Sequence, residues 1–168
     1  MRAGGKKIKK MTTLALLVAV AMILSYIESL IPPLSAVPGV KIGLSNIATV
    51  FALYALGAPS AVCVSLVRVC LSSLLFGNSL GFIYSLSGAL LALLSMIILR
   101  RVSLFSTVGV SVAGGVFHNA GQVIAAAVVM RTDAILYYLA PLAVSGTLAG
   151  IAVGIAGGVL CAKLRGKI

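Results

Sequence analysis

The chain has 168 residues, 61% of them hydrophobic and 9% charged, and its mean hydropathy is +1.23. No soluble domain of this size needs so much apolar surface, so the composition points to an integral membrane protein. The net charge of +11 does not signal nucleic acid, because the basic residues cluster where apolar runs end, and those runs lack the alternation of a β-barrel.

At about 20 residues per span, the length accommodates about six transmembrane helices. Residues 1–10 form a basic tail with Lys6, Lys7, Lys9 and Lys10. Residues 11–31 are the first span. Cleavage of a signal peptide at Ala19-Val20-Ala21 competes with this reading, but the apolar run continues to Ile27, too long for a signal core. Pro32 and Pro33 stop the helix. The chain then turns at Pro38-Gly39 and re-enters through Val40-Lys41-Ile42-Gly43-Leu44-Ser45-Asn46.

Residues 42–56 are a second span, short for a bilayer. Residues 59–76 are the third, with Arg68 near its middle, and residues 80–99 the fourth, ending at Arg100-Arg101. The fifth apolar region, 104–130, is interrupted by Gly114-Gly115 and by His118-Asn119-Ala120-Gly121-Gln122. Asp133 suits the N-cap of the last helix. That helix covers 134–162 and carries Pro141 as an expected kink. The chain thus reads as a single six-helix transmembrane domain over 11–168 behind its tail.

The basic clusters set the orientation. The tail, Arg100-Arg101 and Lys163-Arg165-Lys167 are separated by even numbers of spans, so all three face the cytoplasm and both termini are cytoplasmic. The expected location is the cell membrane, crossed several times.

Gly146, Gly150, Gly154 and Gly158 recur every fourth position on the last helix, which lets another backbone approach closely. Ala15 and Ala19 make a shorter stripe near the cytoplasmic end of the first helix. Such stripes pack within a chain by default, and a docking face for another subunit is the alternative.

Polar groups inside a membrane are costly, so they face a partner, a cavity or water. Counting about 1.5 Å per residue from the inner boundary, Glu28 lies roughly 25 Å up, Asn46 and His118 roughly 20 Å, and Arg68 roughly 14 Å. His118, Asn119 and Gln122 nearly share a helix face, with glycines beside them that leave room for a ligand. The candidate substrate-binding set is therefore Lys41, Asn46, Arg68, His118, Asn119 and Gln122. Glu28 is the plausible ion-pair partner of Arg68. Lys41 and Arg68 against one Glu leave a positive excess, which favours a small anionic solute bearing carboxylate or phosphate.

Catalytic and metal chemistry is poorly provided for. Glu28 and Asp133 are the only acidic residues, so no carboxylate-rich site can be built. Cys63, Cys70 and Cys161 are scattered without a CxxC pair, and the spacing of Cys63 and Cys70 on one rigid helix rules out a bridge between them. There is no phosphate-binding GxxxxGK[ST] loop. No catalytic residue, cofactor or metal is expected.

The stretches 38–46, Leu75-Phe76-Gly77, Tyr84-Ser85-Leu86-Ser87-Gly88 and 114–122 resemble the Gx transporter family. Its members are often labelled heptaprenyl diphosphate synthase component I. That family is similar to the substrate-binding S components of energy-coupling factor (ECF) vitamin transporters. The resemblance implies six helices, cytoplasmic termini and a gating loop between the first two helices. It also implies a coupling subunit and ATPases as partners, met through small residues on the first helix, a pattern that Ala15 and Ala19 match. The synthase label conflicts with the residues, because prenyl diphosphate synthases use acidic magnesium clusters. The expectation is a membrane solute-binding protein that works alone or with an ECF-type module. The alternative is a non-transporting membrane subunit assisting polyprenyl diphosphate or quinone biosynthesis, and a membrane-embedded enzyme ranks third.

Overall fold

The computed structural model describes residues 2–30, 43–76, 79–102 and 104–164, with the backbone alone for residues 2–4 and 6. The expected re-entry loop from Pro32 to Ile42, Lys41 included, lies outside the described residues. The described chain is an all-α membrane bundle: α1 (Arg2–Leu30), α2 (Asn46–Leu56), α3 (Ala58–Phe76), α4 (Ser79–Arg101), α5 (Thr107–Met130), a 3-10 helix (Asp133–Tyr138) and α6 (Leu139–Leu164). Five helical segments are long and apolar enough to cross a membrane.

Helix α1 spans 29 residues, about 43 Å at the helical rise and longer than the roughly 30 Å hydrocarbon core. It does not begin after the basic tail as the sequence suggests. No proline or turn signal separates Lys10 from Met11, and lysine is a good helix former, so the helix continues back to Arg2. Its inner stripe is Leu14, Leu17, Val18, Ala21, Ser25 and Glu28. These residues recur at helical spacing and face the bundle.

Helix α2 departs furthest from expectation. It has only 11 residues, about 16 Å, half of what a full crossing needs. Ala48 to Leu53 are buried without a break, so protein surrounds it on every side. Gly43 at φ 89° and Gly57 at φ 93° bracket it in the left-handed region, where a side chain would be strained.

The last helix also differs. Asp133 is not the cap: Thr132 takes that place and its Oγ1 accepts from Ala134 N at 3.4 Å. Residues 133–138 form a 3-10 turn, and α6 starts only at Leu139. Pro141 therefore lies in the first turn of α6, where its missing N–H breaks no helical bond, and no kink is needed. Helix α5 is continuous through its glycines and starts at a Ser106 cap whose Oγ accepts from Gly109 N.

Helix α5 packs between α4 and α6. A Cβ on Gly115 would overlap the Gly146 carbonyl oxygen, and one on Gly121 would lie 2.7 Å from the Ser87 oxygen. The stripe on α6 serves this packing: Gly146, Gly150 and Gly154 meet the α5 backbone. The fourth member differs from expectation. Gly157, not Gly158, meets a neighbour, the Val50 side chain of α2, while Gly158 faces open space.

Two apolar clusters result. One joins Ala21, Val50, Leu53, Val64, Met96, Val110 and Val153. The other joins Tyr84, Val123, Ala126, Ile135 and Leu142 toward the opposite end. At the first end α4 finishes with Arg100, which donates to the Leu53 carbonyl of α2 and lies 5.1 Å over the Tyr54 ring. Of the described basic side chains, Lys7, Lys9, Lys10, Arg100, Arg101 and Lys163 belong to this end and Arg131 alone to the other, with Arg68 buried between, the pattern of a cytoplasmic face.

Candidate solute-binding site

Because α2 is half a crossing long, its N-terminus starts inside the bundle. Unpaired helix-start N–H groups must be satisfied by something other than water there. Asn46 N and Ile47 N donate to the Gly43 and Leu44 carbonyls at 2.9 and 3.1 Å, and Glu28 of α1 accepts from Gly43 N just ahead of the helix. Its negative charge also suits the positive end of the α2 dipole. Ser45, the N-cap residue, makes no capping bond through its side chain. Its hydroxyl instead accepts from Arg68 Nη1 of α3 at 2.5 Å. Glu28, Ser45 and Arg68 are 5%, 0% and 6% exposed, and Glu28 is within electrostatic reach of Arg68. Both groups therefore lie near the first turn of α2.

Asn46, the next residue, faces the other way. With Gly43, Val50, Met96, Ser111, Gly114, Gly115, Ala149, Gly150 and Val153, it lines a narrow crevice with room for about one water molecule. The walls are small because four of these residues are glycines. Met96 fills the space beside Gly114, where a Cβ would lie 2.7 Å from its sulfur.

Polar atoms without partners lie on both sides of the start of α2. Arg68 Nε and Nη2, Ser111 Oγ, Thr49 Oγ1 and Ser25 Oγ are buried with no hydrogen-bond partner among the described residues. Thr49 lies one turn along α2 from Asn46, and Ser25 one turn along α1 from Glu28. Each such group costs about 1–3 kcal/mol if left unsatisfied, so each calls for a partner that the described residues do not supply.

The other candidates lie elsewhere. His118 and Gln122 turn toward α4: a Cβ on Gly88 would lie 3.0 Å from His118 Cε1 and 2.9 Å from Gln122 Cγ. Gln122 is 1% exposed, and neither end of its amide has a partner among the described residues. Asn119 turns toward α6 and donates from Nδ2 to the Leu142 carbonyl at 2.7 Å. Asn46 meets α5 at Ser111, Gly114 and Gly115, one to two turns from His118, and the crevice it lines does not include His118, Asn119 or Gln122. Depth counting assumed that α2 begins at the membrane surface, and it begins inside.

Sequence reading missed Ser45 and Ser111. Ser111 precedes His118 by seven residues, two helical turns, and so lies on the same stripe as Gly114, His118 and Gln122. Its hydroxyl extends that stripe into the crevice. Ala15 and Ala19 are exposed on α1, so their stripe is not used for packing within the described chain.

The fold and site define a multi-pass α-helical membrane protein with a polar interior centred on a half-length helix. The family model for heptaprenyl diphosphate synthase component I matches residues 17–160, and the chain belongs to that family. No curated protein and no solved structure matches the chain. Among the described residues, no group of three or more His, Cys, Asp or Glu side chains could hold a metal ion.

Proposed function

We propose that the chain is a non-catalytic solute-binding subunit of the cell membrane, which takes a small anionic solute from outside into the bundle beside the start of α2. The reading rests on the orphaned polar atoms of Arg68, Ser111, Thr49 and Ser25 around that buried helix start. Arg68 and Asn46 are the primary contacts. His118 and Gln122 are a second group, reached if α4 and α5 part at Gly88. Asn119 holds α6, and Lys41 attracts the solute at the mouth. The exposed Ala15 and Ala19 offer a close-packing surface to an ECF-type coupling subunit with its ATPases.

Uptake by cells expressing the chain with and without such a module tests this function. Uptake that requires the module supports the coupled form, and uptake without it the solitary one.

The family's own description favours a second reading, a membrane subunit that assists a polyprenyl diphosphate enzyme without transporting anything. That reading requires co-purification with a prenyl-transferring enzyme and no solute uptake under any condition.

A further inference from the structure

The basic end of the bundle carries more charge than its packing uses. Of the cations described there, only Arg100 turns inward, donating to the Leu53 carbonyl and covering the Tyr54 ring. Lys7, Lys9 and Lys10 of α1, Arg101 of α4 and Lys163 of α6 are exposed. Neither acidic residue of the chain is near them. Glu28 sits inside the bundle at the start of α2, and Asp133 lies beyond α5 at the other end. Arg2, Lys6, Arg165 and Lys167, whose side chains lie outside the described residues, are neighbours in sequence and add only positive charge.

Helix α1 holds its lysines at a fixed depth. From Met11 to Leu30 it runs about 30 Å, the thickness of the hydrocarbon core. Lys10, Lys9 and Lys7 then lie roughly 2–6 Å outside that core, in the head-group layer. They stand on a continuous helix, so a contact there costs little ordering entropy. Exposed apolar side chains accompany each basic position. Ile8 lies between Lys7 and Lys9, Leu104 and Phe105 follow Arg101, and Leu160 is one turn before Lys163. A cation beside bare apolar surface at this depth suits a molecule that joins a phosphate to acyl chains. The five exposed cations are also spread around the rim. Helix α1 packs against α2 and α3, whereas α4 and α6 pack against α5. That spread suits several lipids along the perimeter better than one docked protein.

We infer that this rim selects anionic phospholipids over zwitterionic ones, with head groups seated at Lys7, Lys9 and Lys10, at Arg101 and at Lys163. Each head group supplies the negative charge that the chain lacks at this end. Orientation alone needs only an excess of cations. The rigid placement on α1 and the adjoining apolar side chains turn that excess into lipid seats.

The test uses the full chain in phosphatidylcholine bilayers with a trace of spin-labelled phosphatidylglycerol or spin-labelled phosphatidylcholine. Electron spin resonance measures the fraction of each label held motionally restricted at the protein surface. The expected result is a preference for phosphatidylglycerol of about threefold or more at low salt. It should fall toward one at roughly 1 M NaCl, where the Debye length is about 3 Å. Lys7→Gln with Lys9→Gln and Lys10→Gln should lower it, and so should Arg101→Gln with Lys163→Gln. Lys7→Arg with Lys9→Arg and Lys10→Arg, which keeps the charge, should retain it. Equal restriction of the two labels by the wild type overturns the inference without recourse to any variant. A preference that either salt or all five Gln substitutions leave unchanged overturns the seats at these side chains.

Discussion

Arg68 of α3 and Ser45 at the start of α2 are joined by a 2.5 Å hydrogen bond buried in the middle of the bundle. With the Glu28–Gly43 bond beside it, this contact ties the half-length helix to both α1 and α3. Stability and solute binding therefore meet in one cluster. Removing the guanidinium leaves Glu28 as a buried charge without its nearest described cation. Arg68→Ala is expected to destabilise the protein by about 3–5 kcal/mol, in the range measured for broken buried pairs. Thermal unfolding in detergent measures it. Arg68→Lys retains the charge and should unfold much closer to the wild type.

The α5–α6 contact gives a paired prediction on one stripe. Gly146→Ala places a Cβ 2.8 Å from the Gly115 oxygen and 2.9 Å from Asn119 Nδ2. Neither a backbone carbonyl nor a committed amide can move away cheaply, so overpacking should cost about 1–3 kcal/mol. Gly158→Ala meets nothing within 4 Å and replaces a poor helix former with the best, so it should be neutral or slightly stabilising. Equal melting temperatures for the two variants would remove the packing role assigned to Gly146.

Much of this architecture is legible in the sequence. The apolar runs mark the membrane helices, the basic clusters mark one end, and the period-four glycines mark the tight helix pair. Glu28 and Arg68 stand out because a bilayer tolerates few charges. The length of α2 is not legible. Its apolar run begins at Ile42, and only the left-handed Gly43 and the Glu28 bond fix the helix start four residues later, inside the protein. Ser111 was hidden because an isolated serine in a membrane helix usually bonds its own backbone. Here the hydroxyl has no partner among the described residues.

The exposed face of α1 predicts a separation of stability from assembly. Ala15 and Ala19 are exposed, while Leu14, Leu17 and Val18 pack inward. Ala19→Leu should leave thermal unfolding unchanged and abolish co-purification with an ECF-type coupling subunit, because the larger side chain holds the helices apart. A variant that co-purifies as well as the wild type would show that the stripe is not the docking face.

Orientation follows from the basic end. In a chain without its native cysteines, Tyr137→Cys, at an 86% exposed position beyond α5, should react with a membrane-impermeant thiol reagent from outside. Arg101→Cys should react only after the membrane is opened. Labelling of Arg101→Cys in intact cells contradicts the cytoplasmic assignment of the termini.

The crevice beside Asn46 predicts a binding effect without loss of fold. Asn46 is partly buried and lines the crevice with Ser111. Asn46→Ala should weaken solute binding roughly tenfold, the equivalent of about 1.4 kcal/mol, by removing a hydrogen bond in an apolar surround. Ser111→Ala should act in the same direction. Isothermal titration, with thermal unfolding as the control, separates lost affinity from lost structure.

The claim that a solute binds at the start of α2 is tested most directly by native mass spectrometry of the protein purified from its own membranes. The account predicts a small acidic molecule bound in a one-to-one ratio to the wild type, depleted in Asn46→Ala and absent from Arg68→Lys, with both variants folded. A molecule retained equally by the wild type and both variants, or no small molecule together with no uptake of any solute, would contradict it.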